Sequence, residues 1–326
     1  MNIHPMWDQY PQIKQDLADV LKVIDANITL QNKKARKTIM DMLHAGGKLL
    51  RPAFFLLSAK VNDQCDRQQL IHVAASIEVL HMASLIHDDI IDEASTRRGL
   101  PTIANQFGSK YALYTGDYLF CVCFKILSTH ANTLSTIPFN TKTVEKVLLG
   151  ELEQMESRYN LEMTVKQYLK QISSKTAALF AMSCYVGAQL SGVNSAAKTN
   201  ARKIGHDIGM AFQILDDILD YTGKAGTIGK PTLEDLKQGI YSLPLIYAMN
   251  QNQQPFVPFL NERESISVAN IEAILELINK YKGVEKAQEL AEKYTYKAIT
   301  RINKMPDGES KTIMLELTNT LLKRQA

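Results

Sequence analysis

Hydrophobic residues recur at spacings of three and four over long stretches of this chain, the period of an amphipathic helix, and short β-branched runs bounded by hairpin turns are absent. Proline supplies the punctuation, leaving residues 139–230 free of it. Within that gap "VEKVLLGELEQMESRYN", residues 144–160, and "VKQYLKQISSKTAALFAMSCYVGAQLSG", residues 165–192, read as long helices, the second closed by Gly192 as a C-cap. Residues 95–102, 223–232 and 250–259 read as loops, and none has the length or composition of an interdomain linker. The expectation is an all-α protein of about a dozen helices, one domain over residues 1–326.

"SLIHDDIIDEASTRRG", residues 84–99, sits oddly in that pattern. Asp88, Asp89 and Asp92 stand among Leu85, Ile86, Ile90 and Ile91, which a helix normally points inward. "FQILDDILDYTG", residues 212–223, repeats the spacing with Asp216, Asp217 and Asp220. On a helix, residues four apart share a face, so Asp88 with Asp92, and Asp216 with Asp220, each project two carboxylates the same way, with Asp89 and Asp217 alongside. Packed carboxylates repel, and burying them calls for a cation. Oxygen donors with no partnering cysteine favour Mg²⁺ over zinc, and Mg²⁺ takes few carboxylates, completing its shell with water and substrate phosphates. One acidic triplet would be an ordinary solvated face; two, each embedded in an apolar helix, suggest a clamp for a diphosphate.

A diphosphate also needs cationic donors. "HAGGKLLRP", residues 44–52, places Lys48 and Arg51 beside a Gly-Gly turn and the first turn of a helix, where free N–H groups favour an anion. Arg97 and Arg98 follow Asp92 by little more than a turn, ahead of Gly99 and Pro101, and suit bidentate phosphate contacts. His81, seven residues before Asp88, lies nearly on its face and can donate to the same anion.

Composition narrows the class. The 326 residues are 45% hydrophobic and 22% charged, as in a globular protein, and a formal charge of +3 argues against a nucleic-acid partner. The N-terminus lacks the pattern of a secretory signal, and no uncharged apolar run of about 18 residues suggests a membrane span, so a cytoplasmic chain is expected. Cys65, Cys121, Cys123 and Cys184 lack paired CxxC spacing and read as reduced, mostly buried thiols.

The chain resembles the trans-isoprenyl diphosphate (polyprenyl) synthases. The resemblance rests on "GGKLLRP", "HMASLIHDDIIDEASTRRG", "GDYLF", "GELEQ", "KTA", "FQILDDILD" and "GKPTLEDLKQG", in order from residue 46 to residue 239. It implies an isoprenoid synthase fold, a single large helical bundle around a central cavity, usually a homodimer, in some members working with a separate non-catalytic subunit. It implies three Mg²⁺ held by Asp88, Asp92, Asp216 and Asp220, with Asp89 and Asp217 in support. By motif, Lys48, Arg51, His81 and Arg98 look like the isopentenyl diphosphate site, and Arg97, Lys175, Thr176, Gln213 and Lys230 like contacts to the allylic diphosphate. One departure is "QGIYSLP", residues 238–244, where Ile240, Tyr241 and Ser242 stand in place of the family's usual lysine and threonine.

The implied reaction is head-to-tail condensation. The allylic diphosphate ionises as the metals neutralise its leaving group, Thr176 and Gln213 stabilise the cation, the isopentenyl double bond attacks, and the released diphosphate removes the proton. Product length should follow the helix before Asp88. Small Ala83 and Ser84 provide no aromatic floor, so chain growth is expected to stop near Leu80 or Ile77, at roughly six to eight isoprene units. A short-chain farnesyl or geranylgeranyl synthase is the alternative. A di-iron oxidase would use Glu78 and His81 as a Glu-x-x-His motif but lacks a second copy. A terpene cyclase would lack the motifs around Lys48 and Arg98, and a non-catalytic partner subunit would be expected to lose the aspartates or the arginine pair.

Overall fold

The computed structural model describes residues 3–44, 47–62, 65–130, 137–222 and 233–322. Its α-helices are α1 (Pro11–Asn27), α2 (Lys33–His44), α3 (Leu50–Ala59), α4 (Arg67–Ile91), α5 (Ile103–Phe107), α6 (Ser109–His130), α7 (Ile137–Glu156), α8 (Val165–Ile172), α9 (Ala178–Leu190), α10 (Ser195–Thr222), α11 (Glu234–Lys237), α12 (Leu243–Gln251), α13 (Val257–Leu260), α14 (Val268–Lys280), α15 (Gly283–Ile302) and α16 (Glu309–Leu322). The all-α expectation holds with one correction. The segment read as a loop at residues 95–102 contains a hairpin, β1 (Thr96–Arg97) paired antiparallel with β2 (Leu100–Pro101). Arg98 and Gly99 close it with φ of 53° and 76°, two successive left-handed residues, as a type I′ turn requires. Strands of two residues are too short for any hydrophobic alternation to reveal them. The loop read at residues 250–259 likewise contains the start of α13.

Contacts divide the chain into two compact units. The first comprises Met1–Asn140, Ser183–Ala201 and Pro306–Ile313; the second comprises Thr141–Met182, Arg202–Met305 and Met314–Ala326.

In the first unit α4 packs against α1, α3 and α6. Asp66 caps it, its carboxylate accepting from the backbone N–H of Gln68 and Gln69. The helix is apolar on nearly every side and is long and apolar enough to cross a membrane by composition alone, but 78% of that window is buried, the condition of a core helix. The fully buried Asp16 of α1 accepts from Lys60, just past α3, and from Arg67 at the start of α4, which joins three elements through one carboxylate. Gly116 of α6 sits so close to α4 that a Cβ there would lie 2.3 Å from His87 Nε2.

In the second unit the stretch read as one helix over residues 165–192 is interrupted. Thr164 opens α8 with a capping box closed by Gln167, the helix runs to Ile172, and a π turn spans Ser173–Ala177 before α9 resumes. Gly192, at φ 73°, follows the end of α9 as expected. The π turn lies against α10, where a Cβ on Gly205 would meet Phe180 O at 2.2 Å and one on Gly209 would meet Ala177 Cα at 2.6 Å. Two glycines four residues apart thus let the backbones touch.

Candidate active site

In the first unit the end of α4 divides its three aspartates by burial. Asp88 and Asp92 are half-buried, whereas Asp89 is 1% exposed and accepts from Arg97 Nε at 2.6 Å. Burial pushes Asp89 up to about 6, against the pull of Arg97 and with the repulsion of Asp88 and Asp92 adding to it. Its second oxygen, Oδ2, is buried with no hydrogen-bond partner. The hairpin sets the adjacent arginines to different tasks: Arg97, in β1, turns to Asp89, while Arg98, at the tip, comes within 2.6 Å of where a Cβ on Gly47 would be. The Arg98 guanidinium thus packs directly over the Gly47 backbone, just before α3.

There Arg98, Arg51, Glu78 and His81 form one electrostatic group. Burial lowers Arg51 to about 10, opposed by Glu78 and assisted by Arg98. Desolvation also lowers Arg98, and raises Glu78 despite both arginines. His81 is held well below the ordinary histidine value, first by desolvation and then by Arg51, Arg98 and Arg97. The imidazole is therefore neutral at neutral pH, able to donate from one ring nitrogen without adding charge. A small cavity of about 20 Å³ lies among Met42, Leu43, Glu78, Met82, Leu85, Arg97 and Arg98. Lys48 is placed through its backbone, whose carbonyl accepts from the indole of the fully buried Trp7 at 2.9 Å.

In the second unit the middle aspartate again turns inward. Asp216 is exposed and Asp220 half-buried, but Asp217 is 8% exposed and accepts from Tyr168 Oη at 2.6 Å and Gln213 Nε2 at 2.8 Å. With two neutral donors in place of a guanidinium, burial drives Asp217 further than Asp89, to about 8. Thr176 donates to Gln213 Oε1 at 2.7 Å, so the π turn and the aspartate helix are joined by a continuous chain, Thr176–Gln213–Asp217–Tyr168. Lys175 of the same turn reaches Glu151 Oε2 at 2.8 Å and Gln154 Oε1 at 3.1 Å, both on α7. Gly150 makes room for it, since a Cβ there would lie 2.6 Å from Ser174 Cβ. A π turn opens a helix by one residue, and here it lets Lys175 and Thr176 address different neighbours.

The structure thus brings together Arg51, His81 and Arg98, pairs Arg97 with Asp89, and joins Thr176 and Gln213 to Asp217; Lys230 lies outside the described residues. At the departure noted in residues 238–244, Tyr241 is buried and Ser242 donates to Tyr221 Oη at 3.1 Å, so neither supplies a cation there. Sequence reasoning missed Tyr168, Glu151 and Gln154 as partners and Glu78 as counter-charge to the arginines. The quoted GELEQ already carried Glu151 and Gln154 three apart on one helix face, but nothing local marks Tyr168. Among the described residues no three His, Cys, Asp or Glu side chains form a group that could hold a metal ion, which a di-iron centre would need. Carboxylate pairs four apart, with only oxygen donors and one orphaned carboxylate oxygen, fit a hard divalent cation that takes its remaining ligands from water and phosphate. Of the cysteines, Cys123 and Cys184 are buried as expected, Cys65 is half-buried, and Cys121 is exposed.

Each unit thus carries one helix with a pair of aspartates at helical spacing, and in the first unit that helix also carries His81 and Glu78 of the basic group. A sequence model of the polyprenyl synthetase family matches residues 32–278, and the chain belongs to that family. It is a prenyltransferase enzyme. It is 35% identical over 315 residues to heptaprenyl diphosphate synthase component 2 of Geobacillus stearothermophilus, covering 97% of this chain and 98% of that one. The crystal structure of a geranylgeranyl pyrophosphate synthase from Lactobacillus brevis superposes with a TM-score of 0.93 at 38% identity, covering 98% and 99% of the two chains. A polyprenyl synthase from Caulobacter crescentus, complexed with calcium and isoprenyl diphosphate, superposes at 0.89 with 28% identity and 96% coverage of each.

Proposed function

We propose that this protein condenses isopentenyl diphosphate head-to-tail with an allylic diphosphate to give an all-trans polyprenyl diphosphate of about six to eight isoprene units. The first and second units act in this reading as one catalytic domain in the cytoplasm, and the family match, residues 32–278, runs across both. Asp88, Asp92, Asp216 and Asp220 are the proposed Mg²⁺ ligands, Asp89 and Asp217 supporting them. Mg²⁺, three per site by family resemblance, supplies neutralisation of the negative charge that grows on the departing diphosphate. The calcium and isoprenyl diphosphate of the Caulobacter relative support a divalent cation and substrate of this kind.

The observation that carries the reading is the group of Arg51, Arg98 and neutral His81 around the single buried carboxylate of Glu78. Two guanidinium groups beside a neutral imidazole donor suit a diphosphate that is bound without being cleaved. Lys48, Arg51, His81 and Arg98 therefore hold isopentenyl diphosphate. Arg97, Lys175 and Lys230 contact the allylic diphosphate. The Thr176 and Gln213 side-chain oxygens, already hydrogen-bonded to each other, face the developing allylic cation with their negative ends. The released diphosphate takes the proton, so no carboxylate of the chain is assigned as base.

Product length is proposed from Ala83 and Ser84, the small residues about a turn before Asp88, and from the heptaprenyl relative; the geranylgeranyl neighbour at 38% identity favours a shorter product. Incubation of the purified chain with Mg²⁺, farnesyl diphosphate and isopentenyl diphosphate, read by mass spectrometry, separates the two. A ladder ending at six to eight units is expected; an end at four keeps the reaction and overturns the length. Consumption of farnesyl diphosphate independent of isopentenyl diphosphate would indicate a cyclase instead.

A further inference from the structure

The π turn Ser173–Ala177 has a second attachment to α10 that the reaction scheme leaves unused. Ser173 Oγ lies 3.3 Å from His206 Nε2, and Lys146 Nζ of α7 lies 3.3 Å from the same hydroxyl. The other ring nitrogen, His206 Nδ1, faces Asp207 Oδ1 at 3.3 Å. Asp207, 5% exposed, accepts from Arg301 Nε of α15 at 2.7 Å through its second oxygen. Tyr294 of α15 stands edge-on to the imidazole, with ring centroids 6.4 Å apart.

The donors and acceptors in this chain point one way. Asp207 can only accept, so it selects the tautomer with the proton on Nδ1 and leaves Nε2 as the acceptor for the Ser173 hydroxyl. That fixes the hydroxyl proton and turns a lone pair to the Lys146 ammonium. Arg301 anchors the carboxylate from behind. Adjacent histidine and aspartate on one helix are thus spent on a single hydroxyl at the first residue of the π turn.

Position gives this its meaning. His206 and Gln213 are seven residues apart on α10, nearly the same face, with Gly209 between them. Their partners, Ser173 and Thr176, stand at the two ends of the turn, and Gly209 is where the turn's Ala177 backbone touches the helix. We propose that His206 is a positioning residue for prenyl transfer. With Gln213 it pins both ends of the π turn to α10, so that Lys175 and Thr176 stay aimed as the allylic diphosphate requires. Asp207 and Arg301 serve by fixing the imidazole. This rests on the reading of Lys175 and Thr176 given under Proposed function.

The test compares wild type, His206→Leu, His206→Gln, Ser173→Ala and the double variant His206→Leu/Ser173→Ala. Each is assayed for kcat and for KM toward both substrates, and for binding of farnesyl thiolodiphosphate, an analogue that resists ionisation, by calorimetry with Mg²⁺. His206→Leu and Ser173→Ala should each lose about tenfold in kcat/KM for the allylic substrate and in analogue affinity, the worth of one lost orienting hydrogen bond. KM for isopentenyl diphosphate should hold within about twofold. The double variant should be no worse than either single, and glutamine, which can still accept from Ser173, should restore most of the loss. Folded variants with unchanged allylic kinetics and affinity, equal effects on both substrates, or additive losses would each overturn the positioning role. A wild type that neither condenses nor binds the analogue would overturn the functional reading itself.

Discussion

Asp89 and Asp217 occupy the same place in two copies of one motif, and burial raises both. Desolvation raises Asp89 to about 6 against the pull of Arg97, and raises the more deeply desolvated Asp217 to about 8 against its hydrogen bonds from Tyr168 and Gln213, with Asp235 and Asp216 adding repulsion. Burial of the middle residue leaves Asp88 and Asp92, or Asp216 and Asp220, as the accessible pair at helical spacing. The same single-residue logic applies to Ala83, which is fully buried on α4, in the turn before Asp88 and on the helix that carries His81 and Glu78. Ile77 and Leu80 below it are also buried, and Ser84 donates to its own helix at His81 O, so it adds little bulk. Ala83→Phe should shorten the product by about one isoprene unit, because an added aromatic ring fills space on the scale of one helical turn, about 5.4 Å. Mass spectrometry of the product ladder decides it, and an unshifted distribution would remove α4 as the ruler.

At the scale of elements, the helices were legible and their interruptions were not. Period and proline spacing found α8 with α9 and the end at Gly192, and placed α7 at residues 144–160 where it runs Ile137–Glu156, with Pro138 in its first turn. The π turn keeps a near-helical spacing of apolar residues, so "ISSKTAALF" carries no local sign that Ser173–Ala177 departs from an α-helix. The aspartates and arginines could be found because charge amid apolar helix is improbable without a use. Tyr168 could not, because a lone tyrosine on an amphipathic helix is ordinary until Asp217, 49 residues away, folds against it. The ion cluster of Asp16, Asp19, Lys60 and Arg67 was equally hidden, since its members are scattered over three elements. Arg67 and Lys22 lower Asp19 to about 2. A carboxylate with a depressed value contributes stability above its unfolded value near 3.8 and loses it as pH falls through about 2. Arg67→Met should therefore cost about 1 kcal/mol at neutral pH, since its guanidinium is half exposed and Lys60 still compensates the buried Asp16. The gap in urea stability from wild type should narrow between pH 4 and 2. A gap that stays constant there would mean that Arg67 acts by packing and not by charge.

One helix in each unit carries exposed apolar side chains. On α6, in the first unit, Leu113, Tyr114 and Phe124 are 48%, 73% and 43% exposed; on α7, in the second, Leu148, Leu149, Leu152 and Met155 are 45% to 56% exposed. Single exposed apolar residues are common, but runs of them on successive turns of a helix usually mark an interface. A second copy of the chain is the expected occupant, as family resemblance implies, and a separate subunit is the competitor that the "component 2" relative brings to mind. The two differ in what the purified chain does alone. Sedimentation velocity should find a dimer that condenses substrates by itself, and Tyr114→Glu should shift it toward monomer by placing a charge in a buried contact. A wild type that is monomeric and inactive until a second polypeptide is supplied would assign those helices to the heteromeric partner. A monomer fully active alone would leave the exposed faces without an assembly role.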